Sequence, residues 1–191
     1  MPATALHFDE AAHRYTLGER ELVSVTQALT EAGFIDPRWY TEEAALRGTY
    51  VHAAVALHAA GDLALESLDS TVAPYFDAYL AFRQESGFAI AGCEERVFDP
   101  VMGYAGTLDL RGVFGGRIGV DVIDIKTGSI PSWVGYQTAA YARLLPTPPR
   151  RRWALNLRAN GTYRLEQLTK RTDESIFLAA LLVAQAKRGW L

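Results

Sequence analysis

The segment spanning residues 103–128 constrains the fold most, because it places charged side chains inside two otherwise apolar stretches. Residues 104–114 and 118–126 are rich in apolar and β-branched side chains, a composition that predicts two strands. Gly115 and Gly116 lie between these stretches and predict a two-residue hairpin loop. The sequence therefore predicts an antiparallel pair of strands that carries acidic residues.

The register of this hairpin decides which side chains meet. With a two-residue loop, Asp109 lies opposite Val122, and Asp124 is its diagonal neighbour at roughly 7–8 Å between the backbones. Because side chains alternate between the two faces, Lys126 then shares one face with both carboxylates. Two carboxylates that reach inward from this separation can share one hard cation, whereas a loop of odd length would break the arrangement.

The predicted group of two carboxylates and one lysine suits phosphodiester chemistry. Mg²⁺ is often held by one or two carboxylates together with phosphate and water, and a bound metal generates hydroxide near neutral pH. A lysine beside it can orient that water or neutralise developing charge. The alternative is a solvent-exposed strand with a salt bridge, but Val120 and Val122 on the same face indicate that the face is partly apolar.

The rest of the chain predicts a single domain built from helices and strands. Ser24 or Thr26 is a possible cap for the first helix, and Asn160-Gly161 predicts a second hairpin turn. Helices set on a central run of antiparallel strands predict an α/β or α+β sandwich, with residues 1–40 as a hairpin-and-helix extension and residues 41–191 as the core. Further strands are predicted at 5–8, 13–17, 92–98, 152–157 and 163–168, and helices at 23–32, 41–60, 72–85, 132–145 and 173–188.

The charge of the chain is unevenly distributed. The net charge is −3, yet residues 1–95 carry 5 Lys+Arg against 15 Asp+Glu, a net of −10, and residues 96–191 carry 14 against 7, a net of +7. Such asymmetry is a known sign of a polyanion-binding face, although the two halves can also simply neutralise each other. We note two basic clusters, residues 150–152 and Lys170-Arg171, as candidate phosphate contacts or solvated charge.

Composition limits the location and the redox chemistry. Apolar residues make up 49% and charged residues 21%, and no apolar run is long enough to predict a transmembrane helix. The N-terminus lacks the apolar region of a secretory signal. The single cysteine, Cys93, cannot form an internal disulfide or build a metal site alone, which fits a cytoplasmic location.

Five short pieces follow one another in order over about half of the chain. They are Gly48-Thr-Tyr-Val-His52, Glu94, Gly103-Tyr-Ala-Gly-Thr-Leu-Asp109, Asp124-Ile-Lys-Thr-Gly128 and Gln137-Thr-Ala-Ala-Tyr141. This ordered set resembles the PD-(D/E)xK nuclease superfamily, in its RecB-like exonuclease branch. His13-x-Tyr15 and Val23-Ser-Val-Thr-Gln27 also resemble phage-encoded and mitochondrial-maintenance-type exonucleases of that branch. The resemblance implies a restriction-endonuclease-like core, with a central mixed sheet flanked by helices.

The resemblance also implies roles for individual residues. Asp109 and Asp124 would bind Mg²⁺ or Mn²⁺, helped by the backbone carbonyl of Ile125, and Lys126 would be the catalytic lysine. His52 would be a further metal ligand or would position water. The alternative for His52 is a core residue, since it lies on an apolar stripe of its predicted helix.

Further residues complete the predicted site. Glu94 would be an accessory acid; Glu95 is adjacent to it, so only one of the two can face the cleft. Gln137 and Tyr141 would contact DNA or brace the lysine. Arg47 and Thr127 complete the predicted DNA-binding set.

Two departures from the family pattern are present. Leu108 replaces the proline that precedes the first aspartate, as is common in this branch, and the cysteines of the iron–sulfur members are missing, which excludes such a cluster.

The sequence thus predicts a metal-dependent deoxyribonuclease, with exonuclease action on DNA ends or single strands implied by the resemblance. A non-catalytic DNA-binding module on the same fold and a nuclease directed at RNA or flaps are the alternatives. The expected partner is DNA rather than a membrane, with a homo-oligomer or a recombination or replication partner left open.

Overall fold

A computed structural model describes residues 5–39 and 41–191 of the chain. Residues 1–4 and residue 40, which belong to the predicted N-terminal extension, lie outside the described residues. Runs of two or three strands are separated by helices along the chain, and the strands form one mixed sheet. The strands are β1 (Leu6–Asp9), β2 (Arg14–Leu17), β3 (Arg20–Ser24), β4 (Ala89–Asp99), β5 (Tyr104–Val113), β6 (Asp121–Lys126), β7 (Arg151–Leu157) and β8 (Tyr163–Leu168). The helices are α1 (Val25–Glu31), α2 (Glu42–Ala60), α3 (Ala73–Ser86), α4 (Trp133–Leu144) and α5 (Asp173–Lys187).

The sheet has helices on both faces. Its strand order is β1-β2-β3-β5-β6-β7-β8, with β4 also paired to β5, and β3–β5 and β6–β7 are its parallel pairs. Helices α2 and α3 pack on one face, where Val55, Phe76 and Ile123 belong to one apolar cluster. Helices α1, α4 and α5 pack on the other face, around residues such as Val122 and Phe177. The predicted α/β architecture, a central mixed sheet flanked by helices, is confirmed.

Local sequence signals set the ends of the helices. Ser24 and Gln27 form a capping box at α1, with each side chain accepting a hydrogen bond of 3.0 Å from the other's backbone N–H. Thr41 caps α2, and Gly61 ends that helix with φ 81°, a left-handed conformation that glycine adopts without a steric penalty. Each of the five predicted helices is present with its ends displaced by at most two residues.

A turn forms at Gly115-Gly116, with the N–H of Arg117 donating to the carbonyl of Phe114, but the predicted pairing of the strands directly beside it is wrong. Strand β5 ends at Val113 and β6 begins only at Asp121, so residues 118–120 are loop rather than strand. The cause is Arg150, whose backbone N–H donates to the carbonyl of Val120 and whose guanidinium donates to the carbonyl of Ile118. The carbonyls of Ile118 and Val120 are therefore hydrogen-bonded to a residue distant in the sequence.

The observed register differs from the predicted one by two residues. Leu110 pairs with Ile123, which places Asp109 in line with Asp124 rather than with Val122. A shift of two residues does not exchange the two faces of a strand. The predicted grouping of the carboxylates therefore survives the error in the loop.

Strand β3 was not predicted from the sequence. It pairs in parallel with β5, through Val23–Tyr104 and Ser24–Ala105, and joins the N-terminal hairpin to the main sheet.

Within the described residues, no helix is both long and apolar enough to span a membrane.

Gly112 is required by the close packing at the centre of the sheet. It pairs with both Ile90 and Asp121, and an added Cβ would overlap the backbone carbonyl of Ala89 and lie 2.7 Å from the ring of Phe88. We expect Gly112→Ala to lower the free energy of unfolding by about 3 kcal/mol or more, because backbone must move to make room. Denaturant-induced unfolding followed by circular dichroism measures this loss.

Gly128→Ala is the matched control for this substitution. Gly128 is exposed, and an added Cβ there meets nothing within 4 Å. Its effect should stay within about 0.5 kcal/mol. Equal unfolding midpoints for the two variants would contradict the observed packing around Gly112.

Candidate functional site

Strands β3 and β6 pair with the same edge of β5 and leave a gap between them. Strand β4 pairs with one edge of β5 along nearly its whole length, from Asp99–Tyr104 to Ala89–Val113. On the other edge, β3 pairs with residues 104–105 and β6 with residues 110–112. In the described part of the chain, residues 106–109 pair with no strand on that edge. The gap leaves room for side chains where backbone would otherwise be.

Asp109 lies at the end of this gap and holds the neighbouring strand by its side chain. Its Oδ2 accepts a hydrogen bond of 2.7 Å from the backbone N–H of Ile125. A carboxylate thus takes the place of a backbone acceptor, and β5 and β6 separate beyond the pair Leu110–Ile123. Both Asp109 and Asp124 are buried at this point, with 7% and 1% of their surfaces exposed.

A cluster of potential metal ligands forms around Asp109. His52, Glu94 and Asp109 each offer one ligand atom, and these atoms lie within 4.8 Å of one another. His52 Nδ1 is 3.2 Å from Glu94 Oε1 and 3.6 Å from Asp109 Oδ1, and its Nε2 is 3.2 Å from the carbonyl oxygen of Ile125. Helix α2 and strands β4, β5 and β6 therefore each contribute to one cluster.

The backbone of Glu94 turns its side chain toward this cluster. Its φ of 50° is left-handed, a conformation that costs a non-glycine residue roughly 1–2 kcal/mol. The neighbouring pairs Cys93–Leu110 and Glu95–Leu108 hold the strand on both sides. Glu95 instead binds Arg111 through two contacts of 2.7 Å, so the structure places Glu94, and not Glu95, at the cluster.

A chain of polar contacts runs from Asp124 into helix α4. Lys126 Nζ lies 2.5 Å from Asp124 Oδ2 and 3.3 Å from Gln137 Oε1, and Gln137 Nε2 donates to the hydroxyl of Tyr141 at 3.1 Å. The ring of Trp133 lies 5.1 Å from the same ammonium group. Gln137 is buried, so its amide fixes the position of Lys126 rather than contacting solvent.

Burial and charge together shift the pKa values of the site. Burial raises the pKa of Asp124 to about 6, against the opposing effect of the Lys126 ammonium. Burial likewise raises the pKa of Asp109, opposed by His52 and Lys126. Burial alone would lower the pKa of His52, but the carboxylates of Asp109 and Glu94 outweigh it and raise that pKa to about 9. The site therefore concentrates negative charge that requires cationic partners.

These residues fit a divalent cation. Lys126 Nζ contacts Asp124 Oδ2, whereas Oδ1 of Asp124 is buried and has no hydrogen-bond donor among the described residues. A buried carboxylate in this state is available to a metal. The carboxylates of Asp109 and Glu94 and the carbonyl of Ile125 are further oxygen donors, which Mg²⁺ and Mn²⁺ prefer. His52 adds an imidazole nitrogen, a ligand that favours Mn²⁺ over Mg²⁺.

One cavity lies between α2 and the residues that follow β6. Its volume is about 250 Å³, and Arg47, His52, Lys126 and Thr127 are among the residues that line it. The guanidinium of Arg47 lies 5.4 Å from the ring centroid of Tyr75. The structure thus places Arg47 and Thr127, both predicted to bind DNA, beside the metal-ligand cluster.

A second cavity, of about 200 Å³, borders Asp109. His13, Tyr15 and Ser24 line it together with Glu94 and Asp109, and so do Gln137 and Tyr141. The hydroxyl of Tyr15 lies 2.7 Å from Thr107 Oγ1 and fixes the wall of the gap.

The residues from the N-terminal hairpin were missed as part of the site. His13 lines the same cavity as Asp109, a place that the sequence analysis did not assign to it. The available signal was the piece His13-x-Tyr15 itself. Its position in space depends on strand β3, which pairs with β5 and carries the hairpin to the gap.

Comparison with known proteins gives no family assignment. No family model matches the chain, and no curated protein matches it. The chain is similar to an alkaline exonuclease (LHK-Exo) from Laribacter hongkongensis at 14% identity and a TM-score of 0.40, over 88% of this chain and 92% of that one. It is also similar to SSO0001 at 12% identity and a TM-score of 0.42, over 86% and 75%. These scores are too low to identify a family, so the chemistry of the site rests on its own residues.

Metal binding at this cluster can be measured directly. We expect Mn²⁺ to raise the melting temperature of the wild-type protein by several degrees, because an ion present at 100 times its Kd adds about 2.7 kcal/mol to the stability. Asp109→Asn keeps an acceptor for the N–H of Ile125 but removes a charged ligand, so most of the shift should be lost. Differential scanning calorimetry with Mn²⁺ and with Mg²⁺ measures both effects, and Mn²⁺ should bind more tightly.

Asp62→Asn is the control, since Asp62 is exposed and lies at the end of α2. It should respond to Mn²⁺ like the wild type. Equal shifts for Asp109→Asn and Asp62→Asn would show that the ion binds elsewhere.

Proposed function

We propose that this protein is a metal-dependent DNA nuclease of the PD-(D/E)xK type, which hydrolyses phosphodiester bonds. One observation carries the proposal: two buried carboxylates, Asp109 and Asp124, meet Lys126 at a gap in the sheet, beside His52 and Glu94. Acidic ligands for a hard cation and a fixed ammonium group can together catalyse phosphodiester hydrolysis.

The residues of the site would have two roles, which are to hold a cation and to stabilise charge on the phosphate. Asp109, Asp124 and Glu94, with the carbonyl of Ile125, would hold Mg²⁺ or Mn²⁺, and His52 would join them or fix that carbonyl through the contact of its Nε2. When bound, such an ion polarises the phosphodiester and lowers the pKa of water.

Lys126 is the candidate catalytic residue. Its ammonium is fixed between Asp124 and Gln137, and Tyr141 in turn holds the Gln137 amide. A lysine held in this way can orient an attacking water and neutralise negative charge that develops on the phosphate. Gln137 and Tyr141 are buried and act on the reaction through Lys126, as positioning residues.

The surroundings of the site support a nucleic-acid strand as substrate. Two cavities border the site, one lined by His52 and Lys126 with Arg47 and Thr127, and the other lined by Asp109 with Tyr15. A strand that passes from one cavity to the other brings a phosphate to Asp109. The family resemblance adds that this strand is DNA and that cleavage proceeds from an end or on a single strand.

The decisive experiment compares Lys126→Ala with the wild type on end-labelled DNA. With Mn²⁺ or Mg²⁺, we expect the wild type to release labelled product and the variant to lose about 10²–10³-fold in rate, the loss typical of one group that stabilises transition-state charge. The substrates are linear single strands, linear duplexes and closed circles. Exonuclease action predicts that the circles stay intact.

Lys187→Ala serves as the control, because Lys187 is exposed at the end of α5, donates to the backbone carbonyl of Glu31 and lines neither cavity beside the cluster. It should retain the wild-type rate. A wild-type protein that is inert on every substrate, or a Lys126→Ala variant as active as Lys187→Ala, would refute the proposed activity.

A further inference from the structure

A basic groove lies away from the metal-ligand cluster, where the end of α4 meets the start of β7 and the end of β8. It is a cavity of about 680 Å³. Six basic residues line it, and Glu174 is the one acidic residue among those lining it. The basic residues are Arg143, Arg150, Arg151, Arg152, Lys170 and Arg171. Six of the 19 Lys+Arg residues of an overall acidic chain thus lie around one groove.

We propose that this groove binds the phosphate backbone of a nucleic-acid strand outside the catalytic cleft. The proposal rests on the nuclease function argued above for the identity of the ligand. It assigns to the protein a second nucleic-acid contact, separate from the residues that line the two cavities at Asp109.

Three of the six cations are matched by carboxylates. The three salt bridges, measured from a guanidinium nitrogen to a carboxylate oxygen, are Arg143–Glu174 at 2.9 Å, Arg151–Asp121 at 3.3 Å and Arg152–Asp173 at 3.0 Å. Asp121 and Asp173 are buried, so Arg151 and Arg152 neutralise buried charges of the folded protein.

The other three cations carry the uncompensated charge of the groove. Arg150, Lys170 and Arg171 are exposed, and in the described ranges none of them forms a salt bridge. Arg150 donates one hydrogen bond to the carbonyl of Ile118, which orients its guanidinium without neutralising it. Six positive charges against three carboxylates leave a net charge of +3 at the groove.

A partly buried arginine joins the elements around the groove. Arg152 donates to the carbonyl of Gly135 in α4 at 2.6 Å, to the carbonyl of Lys170 at 3.1 Å and to Asp173 in α5 at 3.0 Å. One guanidinium therefore joins β7 to both helices and fixes the backbone of the turn before α5. Lys170 and Arg171 are carried on this fixed turn at the rim of the groove.

The arrangement suits a chain of phosphates better than a single anion. Cations spread around a wide groove match the repeated charge of a nucleic-acid backbone, whose neutralisation releases counterions. Helix α4 connects the groove to the cleft, since Trp133 lines the cavity at Lys126 and Arg143 lines the groove. Ten residues of helix span about 15 Å. In a duplex, with a rise of about 3.4 Å per base pair, that distance corresponds to four or five base pairs.

The test measures binding without cleavage. Fluorescence anisotropy in EDTA follows a labelled 20-nucleotide single strand and a 20-base-pair duplex as NaCl is varied. For the double variant Lys170→Ala/Arg171→Ala we expect the slope of log K against log salt to fall by about 1.4 on the single strand and about 1.8 on the duplex. Affinity at 0.1 M salt should fall roughly tenfold.

The matched control is Arg38→Ala/Arg117→Ala, which removes two exposed charges that line none of the three cavities. It should keep the wild-type slope, and both double variants should melt at the wild-type temperature. In Mn²⁺, hydrolysis of a dinucleotide, whose single phosphodiester cannot occupy the cleft and the groove together, should proceed at the wild-type rate in Lys170→Ala/Arg171→Ala.

The two proposals fail in different ways. Equal slopes and affinities for the two double variants would overturn the groove as a binding site, whatever the activity. A wild-type protein that binds DNA through the groove but cuts none of the substrates would leave the groove in place and refute the nuclease. Absence of DNA binding by the wild type in EDTA would overturn the groove as well.

Discussion

The hydrogen bond from the Ile125 N–H to the Asp109 carboxylate is the interaction on which the site depends. It replaces a backbone contact by a side-chain contact, so β5 and β6 part where their ladder would have continued. The same residue of β6 turns its carbonyl toward His52. One residue, Ile125, thus orients Asp109 through its N–H and contacts His52 of the cluster through its carbonyl oxygen.

The site is tolerated by the fold because each buried charge has a nearby partner. Burial disfavours the ionised forms of Asp109 and Asp124, and Lys126 and His52 offset that cost without abolishing it. A carboxylate held in this condition binds a cation more favourably than one already satisfied by hydrogen bonds. The same helices that bury the sheet, α2 and α4, supply His52 and Gln137, so the packing of the core also positions the polar groups.

Local signals predicted the elements, and distant contacts decided the rest. The Ser24–Gln27 box and the left-handed Gly61 are short-range effects that can be read from neighbouring residues. The loop before β6 could not be read in this way, because Arg150, some 30 residues away, binds its backbone. Period-two alternation still grouped Asp109 with Asp124, since an error of two residues leaves the faces unchanged. His13 was missed because its place follows from the parallel pairing of β3 with β5.

Three strands pair with β5, and this arrangement affects how the protein folds. Strands β3, β4 and β6 reach β5 from separate parts of the chain, and His52 arrives on α2 from yet another. Short fragments therefore contain no local precursor of the ligand cluster, and its assembly requires contacts of high sequence separation, which form slowly. A cation that selects this cluster recognises the finished native state alone and shifts the equilibrium away from partly assembled forms.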